Sequence, residues 1–222
     1  HGAAYRIMPD RMEAGTFALA ALITGGSVSM DGAVSPYLGA LTNKMRSAGA
    51  EVIDTKDRYE VRAPQEIKPT DIQTYPYPGF PTDLQAPFTT TMTQANGNSS
   101  IYETMYDDRL RYVAELARMG ARIDVSGSGR MAMVHGPTPL KSVKVHALDI
   151  RSGAALTLAA LAAEGSTIIH NVIYIDRGYQ DIDVKLRQLG SVISRTEEET
   201  HLCPTTNCEE PVEWGVAPLR YR

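Results

Sequence analysis

The stretch Pro9-Asp10-Arg11-Met12-Glu13-Ala14-Gly15-Thr16 leads into the apolar run 17–22, and its pattern returns twice along the chain. An aspartate stands just ahead of a helix-forming run at three places, namely Asp10, Asp83 and Asp149. These aspartates are 73 and 66 residues apart. A near-constant period of this length indicates a repeat architecture, which governs how every local pattern is interpreted.

A second landmark keeps the same spacing. A glycine follows a helical pattern at three places, Gly49, Gly120 and Gly190, which are 71 and 70 residues apart. Glycine is the residue that most easily takes the left-handed conformation after the last turn of a helix. The sequence therefore predicts that each repeat contains a helix ending at its glycine.

Each repeat reads as one βαβαββ unit. An extended run (5–8, 72–75 or 143–148) precedes the aspartate, and an alternating pair of strands follows the glycine. Two of the first helices, 16–23 and 154–163, are apolar all round, which is typical of a helix buried on every side. No unit can bury such a helix alone, so we expect one α/β domain with these helices inside and the sheets outside.

The three repeats are expected at about 1–64, 65–137 and 138–204 of a single domain covering 1–204. Residues 200–204 are expected to form the closing strand of the third unit, because Pro204 follows Gly190 by 14 residues and Pro64 follows Gly49 by 15. Residues 205–222 show no periodicity and are assigned to a C-terminal tail.

Net charge, hydropathy and cysteine content argue against several classes of function. The net charge of −4 gives no basic field for nucleic acid, and no apolar run reaches the roughly 18 residues that a membrane span needs. Two cysteines in 222 residues favour a reducing, cytoplasmic location. Cys203 and Cys208 are interpreted as free thiols in preference to a zinc site, so no metal is expected, although a disulfide stays open.

The three aspartates allow two interpretations. Aspartate is a preferred helix N-cap, and capping is the favoured interpretation for Asp10. Asp83 follows the stiff aromatic loop Tyr75-Pro76-Tyr77-Pro78-Gly79-Phe80-Pro81-Thr82, which suggests instead a carboxylate aimed as a base. Asp149 has Arg151 two residues later, so it also suggests a site.

Arginines accompany these segments. Arg109 and Arg177 lie at matching places in units two and three, and together with helix N-termini they would suit an anion such as phosphate or carboxylate. The alternative is that each forms a surface ion pair with a neighbouring aspartate.

Five segments together resemble the UDP-N-acetylglucosamine 1-carboxyvinyltransferase family, the enolpyruvyl transferases that open peptidoglycan precursor synthesis. They occur in the order of that family, and they include Glu103-Thr104-Met105-Tyr106-Asp107-Asp108-Arg109. The other four are residues 9–17, 77–86, 149–156 and 174–179.

The resemblance implies an inside-out α/β barrel of three βαβαββ repeats, one of the two similar domains of such an enzyme. It implies no cofactor, and it implies UDP-N-acetylglucosamine and phosphoenolpyruvate as substrates. Asp83 would help to deprotonate the 3′-hydroxyl of the sugar, and Asp149 would lie beside the reacting carbon. The remaining implied contacts are Met105 and Tyr106 along the sugar nucleotide, and Arg109, Arg151 and Arg177 at the carboxylate and phosphate of phosphoenolpyruvate.

The resemblance covers one domain only, so whether the chain is an enzyme by itself stays open. In the family, the other domain supplies a lysine, further arginines and a loop cysteine. One hypothesis is a catalytic half that is active only with that second domain, which could lie on another chain. The alternative is a non-catalytic sugar-nucleotide-binding or structural module. The sister 3-phosphoshikimate 1-carboxyvinyltransferase is less favoured, because residues 77–86 match the sugar-nucleotide enzyme.

Overall fold

A computed structural model of the chain describes residues 2–5, 7–32, 35–197 and 212–217. Its helices are α1 (Arg11–Ile23), α2 (Gly39–Ser47), α3 (Gln85–Met92), α4 (Val113–Arg118), α5 (Ile150–Ala162), α6 (Ile173–Asp176) and α7 (Ile182–Gln188). Short 3-10 turns cover Ser35–Tyr37 and Thr82–Leu84.

Eleven strands are present among the described residues. In chain order they are β1 (Ser27–Asp31), β2 (Glu51–Asp54), β3 (Arg58–Arg62), β4 (Ile72–Gln73), β5 (Asn98–Tyr102), β6 (Ile123–Val125), β7 (Met131–His135), β8 (Lys144–His146), β9 (Thr167–His170), β10 (Val192–Glu197) and β11 (Val212–Ala217).

The strands form three sheets that repeat one topology. Their orders are β1-β3-β2, β4-β5-β7-β6 and β8-β9-β11-β10. In the second and third sheets, a parallel pair (β4 with β5, β8 with β9) is extended by antiparallel strands. The predicted three-unit α/β architecture is confirmed.

Three helices, one from each unit, pack against one another in the core. Every residue of α3 is buried, as are all residues from 14 to 23 in α1 and from 152 to 161 in α5. The prediction that the apolar helices lie inside is therefore confirmed. Helix α3 is rich in threonine, and each hydroxyl of Thr89, Thr90 and Thr91 is satisfied by the carbonyl four residues earlier, at 2.8–3.1 Å.

The glycines of the period end helices as predicted. Gly49, Gly120 and Gly190 have φ of 99°, 96° and 103°, the left-handed region that glycine enters without strain. They follow α2, α4 and α7, whose buried residues lie on one face only. These three helices are the half-exposed layer of each unit.

Two strands differ from the sequence prediction. Residues 2–5 and 7–10 form no strand, so the extended run predicted at 5–8 is wrong, and the first sheet has three strands in the described chain. Pro9 follows the run directly and has no amide hydrogen, so a ladder could not continue through it.

The strand that completes the third sheet is β11. It lies between β9 and β10, the place that β3 and β7 take in the other sheets. The third unit therefore extends at least to Ala217, within the segment assigned to a tail. The predicted closing strand at 200–204 lies outside the described residues, as do Cys203 and Cys208. Among the residues described, no helix is both long and apolar enough to cross a bilayer.

Candidate functional site

All three period aspartates line one cleft. Helices α1, α3 and α5 pack side by side, and an aspartate stands at or near the start of each. Asp10, Asp83 and Asp149 consequently face a shared space of about 470 Å³, together with Arg151 and Arg177. The repeat thus brings residues 139 positions apart in sequence to one place.

Asp10 is a helix cap, as the sequence analysis favoured. Its Oδ1 accepts hydrogen bonds from the Met12 and Glu13 amides at 2.7 and 3.2 Å. These are amides of the first turn of α1, which have no partner within the helix. The carboxylate is therefore committed to the backbone.

Asp149 caps α5 and also pairs with an arginine. Its Oδ1 accepts from the Ser152 amide at 2.8 Å, and the Ser152 hydroxyl in turn accepts from the Asp149 amide at 2.8 Å. This reciprocal arrangement is a capping box. The second oxygen, Oδ2, forms a salt bridge with Arg151, so capping is confirmed for Asp149 and its role in a site stays a prediction.

Asp83 is not a cap. It lies in the 3-10 turn before α3, and its side chain makes no capping hydrogen bond there. Instead its Oδ1 lies 3.3 Å from Nη1 of Arg109 and 3.8 Å from Nη1 of Arg151. The side chain is 55% exposed, so a charged carboxylate stands between two guanidinium groups and faces the cleft.

Arg109 and Arg177 do not pair with their sequence neighbours. Arg109 binds Asp83, and its side chain is only 16% exposed because the guanidinium lies over the Tyr106 ring at 4.2 Å. Asp176 pairs with Arg195. Within the described chain, Arg177 forms no ion pair or side-chain hydrogen bond while lining the cleft. The surface-ion-pair alternative for Arg109 and Arg177 is wrong.

Tyr179 forms part of the cleft wall that the sequence analysis did not single out. It is buried, and its hydroxyl lies 2.9 Å from that of Thr16 on α1. Burial raises the pKa of Tyr179 to about 12, the hydrogen bond with Thr16 lowers it, and the carboxylates of Asp10 and Asp83 raise it. The phenol therefore keeps its proton at neutral pH. In the sequence, the only indication that this tyrosine belongs to the cleft is its position two residues after Arg177.

A smaller polar cavity of about 180 Å³ adjoins the cleft, behind Arg109 and Arg151. Two buried polar atoms face it without a hydrogen-bond partner in the described chain, Gln85 Nε2 and Tyr112 Oη. The Thr89 hydroxyl, close to Tyr112, already donates to the Gln85 carbonyl at 2.8 Å. Burial raises the pKa of Tyr112, so its phenol also stays neutral. Both groups need water or a ligand to satisfy them.

Met105 and Tyr106 border the site without lining either space. Their amides turn inward to the buried carboxylate of Glu103, at 2.8 and 3.3 Å. The Tyr106 ring is half exposed and supports Arg109. The structure therefore brings five of the seven candidate residues into the walls of the two spaces and places the remaining two beside them.

Residues 1–186 match the family model of EPSP synthase (3-phosphoshikimate 1-carboxyvinyltransferase). The chain belongs to the EPSP synthase family. Among curated relatives, a UDP-N-acetylglucosamine 1-carboxyvinyltransferase of Koribacter versatilis is 46% identical over 198 residues, which is 89% of this chain and 45% of the relative. A protein of the same name from Halalkalibacterium halodurans is 42% identical over 212 residues, 96% of this chain and 48% of the relative.

A solved member of the EPSP synthase family has the same architecture. The enolpyruvyl transferase NikO from Streptomyces tendae superposes with a TM-score of 0.73 at 26% identity, over 83% of this chain and 43% of NikO. This likeness confirms the predicted inside-out α/β fold. The chain spans about half the length of the relatives it matches.

Proposed function

We propose that this domain is half of an enolpyruvyl transferase that moves the enolpyruvyl group of phosphoenolpyruvate to the 3′-hydroxyl of UDP-N-acetylglucosamine. The names of the 42–46% identical relatives support the substrates. The observation that carries the proposal is the cleft itself. It presents an exposed carboxylate at Asp83, two paired arginines beside it, and the unpaired Arg177.

The chemistry of this transfer matches that set of groups. The sugar hydroxyl loses its proton and adds to C2 of phosphoenolpyruvate while C3 gains a proton, and the tetrahedral intermediate then loses phosphate from C2 and a proton from C3. Asp83 would accept the hydroxyl proton, because it lines the cleft and only its Oδ1 is paired with arginine in the described chain. The carboxylate and phosphate carry several negative charges, which Arg151 and Arg177 would hold.

The other candidate residues take supporting roles in this proposal. Asp149 fixes the direction of Arg151 and stands beside the reacting carbon. Arg109 orients Asp83 from the far side, and Met105 and Tyr106 border the path of the sugar nucleotide. Tyr179 adds a neutral phenol to the cleft wall, where it can donate a hydrogen bond.

A second domain, which could lie on another chain, would close the cleft and supply the remaining cations. Holding both substrates in a closed space contributes roughly 7–11 kcal/mol in reactions of this type. The product would enter peptidoglycan precursor synthesis, and the reaction would take place in the cytoplasm. We therefore expect substrate binding by this chain, and no turnover without the second domain.

Calorimetric titration of the chain with UDP-N-acetylglucosamine and with phosphoenolpyruvate tests the proposal. Arg177→Gln should weaken phosphoenolpyruvate binding at least tenfold, roughly the loss of one charge-assisted hydrogen bond, and should leave the sugar nucleotide unaffected. Arg118→Gln is the matched control, because within the part of the chain that the structure describes Arg118 pairs only with Glu115 on α4. Binding of neither substrate would exclude the proposal.

A phosphate-release assay separates the two remaining possibilities. The chain alone should match the blank with both substrates present. Adding the missing domain of a relative should restore release if the chain is a catalytic half. Binding without restored release would favour the non-catalytic sugar-nucleotide module.

A further inference from the structure

Glu103 is a buried carboxylate just behind the cleft. It follows β5, where Ser99, Ile101 and Glu103 alternate inward and are all fully buried. Within the described residues it forms no salt bridge, and it lines neither space of the site. A buried charge without a counter-ion is costly, so its hydrogen bonds must offset the loss of water.

Four donors surround this carboxylate. Oε1 accepts from the Thr74 hydroxyl at 2.8 Å and from the Met105 and Tyr106 amides at 2.8 and 3.3 Å. Oε2 accepts from the Thr82 hydroxyl at 2.8 Å. Three donors therefore converge on Oε1 and one reaches Oε2.

Three of the four donors come from segments that carry the site. Thr82 opens the 3-10 turn that bears Asp83, and Tyr106 supports the guanidinium of Arg109. Because Arg109 in turn pairs with Asp83, the contacts form a closed ring. The ring runs from Glu103 through Thr82, Asp83, Arg109 and Tyr106 back to Glu103.

We infer that Glu103 is a positioning residue, which fixes the Asp83 turn and the Tyr106 loop relative to each other from behind. It touches no substrate. Two loops without a common contact could shift independently of each other. A displacement of about 1 Å at a reacting group can cost a factor of about 100 in rate. One carboxylate bonded to both loops removes that freedom.

Thr82→Val tests this inference with little change of shape, since it removes one hydroxyl and with it the Thr82 link to Glu103. Amide hydrogen exchange at Met105 and Tyr106 should accelerate by about tenfold or more, the factor expected from a lost hydrogen bond to a charged group. Thr82→Ser keeps the hydroxyl and should restore slow exchange.

Thr138→Val is the matched control. It removes a buried threonine hydroxyl that donates to the His135 carbonyl at 2.8 Å and does not contact Glu103. It should leave exchange at Met105 and Tyr106 unchanged. If Thr82→Val and Thr138→Val have the same effect on those two amides, the positioning role is wrong.

Ligand affinity gives a second readout, and this part alone rests on the proposed function. Thr82→Val should weaken UDP-N-acetylglucosamine binding at least about threefold with little loss of melting temperature, because a misplaced Asp83 turn offers a poorer contact. Thr138→Val should not weaken it. If the unmodified chain binds no sugar nucleotide, the proposed function fails, and the exchange comparison still decides the role of Glu103.

Discussion

Replacing Asp149 separates its two roles. In Asp149→Ala, α5 loses the bond from Oδ1 to the Ser152 amide, the negative charge at the helix start, and the salt bridge to Arg151. In Asp149→Asn, the cap is retained and the charge is lost, because asparagine caps about as well as aspartate.

The expected cost of Asp149→Ala follows from these three losses. Loss of an N-cap costs about 1 kcal/mol, within a range of about 0.5–2. Loss of the charge at the positive end of the helix adds about 0.3–1 kcal/mol. The salt bridge adds at most a few tenths of a kcal/mol, because the Asp149 side chain is 43% exposed and solvent screens the pair.

The free energy of unfolding should therefore fall by roughly 1–2.5 kcal/mol in Asp149→Ala and by roughly 0.5–1 kcal/mol in Asp149→Asn. Urea unfolding followed by circular dichroism measures both, and for a domain of this size each kcal/mol corresponds to about 2–4 °C in melting temperature. Asp10→Ala is a control at the equivalent cap, which has no arginine partner among the described residues. Equal destabilisation by alanine and asparagine at 149 would refute the capping argument.

Three further outcomes are expected. Asp83→Asn should change the free energy of unfolding by less than about 1 kcal/mol, because Asp83 caps nothing and its ion pair is half exposed; activity reconstituted with a second domain should fall about 100- to 10,000-fold. Truncation after Arg195 removes β11 from between β9 and β10, so calorimetry and light scattering should show cooperative destabilisation or association; a monomer with an unchanged melting temperature would contradict this. Burial raises the pKa of Tyr59 and Tyr179 to about 12, so the folded state keeps protons that the unfolded state releases above pH 10. The free energy of unfolding should keep its full value below pH 10 and fall by roughly 3 kcal/mol per tyrosine as the pH rises through 12. The free energy of unfolding of Tyr179→Phe, measured at equilibrium over the same pH range, should show a shallower fall.

The repeat and the core could be predicted from the sequence because both depend on local composition. Residues 17–22 and 154–163 are so uniformly apolar that burial on all sides was the only stable outcome, and both helices are buried as expected. The glycines predicted helix ends because few other residues adopt a left-handed backbone without strain. The uniformly apolar stretch from residue 16 marks only part of α1, which begins at Arg11, directly after the cap predicted at Asp10.

The features that could not be predicted from the sequence depend on contacts between residues far apart in the chain. Strand β11 follows a long segment and pairs with two strands from elsewhere, so no local periodicity marks it. The aromatic loop before Asp83 favoured a role other than capping, but its partner could not be predicted, because Arg109 lies 26 residues further along the chain. Glu103 did leave a trace, because a glutamate continues the inward alternation of Ser99 and Ile101.

If the proposed transfer takes place in this cleft, the paired arginines affect how its phosphate product is released. An anion that enters the cleft meets Arg151, and next to it in the adjoining cavity Arg109, already held by Asp149 and Asp83, so it must share these cations with resident carboxylates. Of the two arginines that line the cleft itself in the described chain, Arg177 is the one without an ion pair. Because the guanidinium groups are shared with carboxylates, an anion bound before the reaction is held less tightly, while each guanidinium keeps its orientation. Binding energy therefore remains to be gained as charge shifts during the reaction. A phosphate ion left behind can accordingly depart without first breaking a saturated set of contacts.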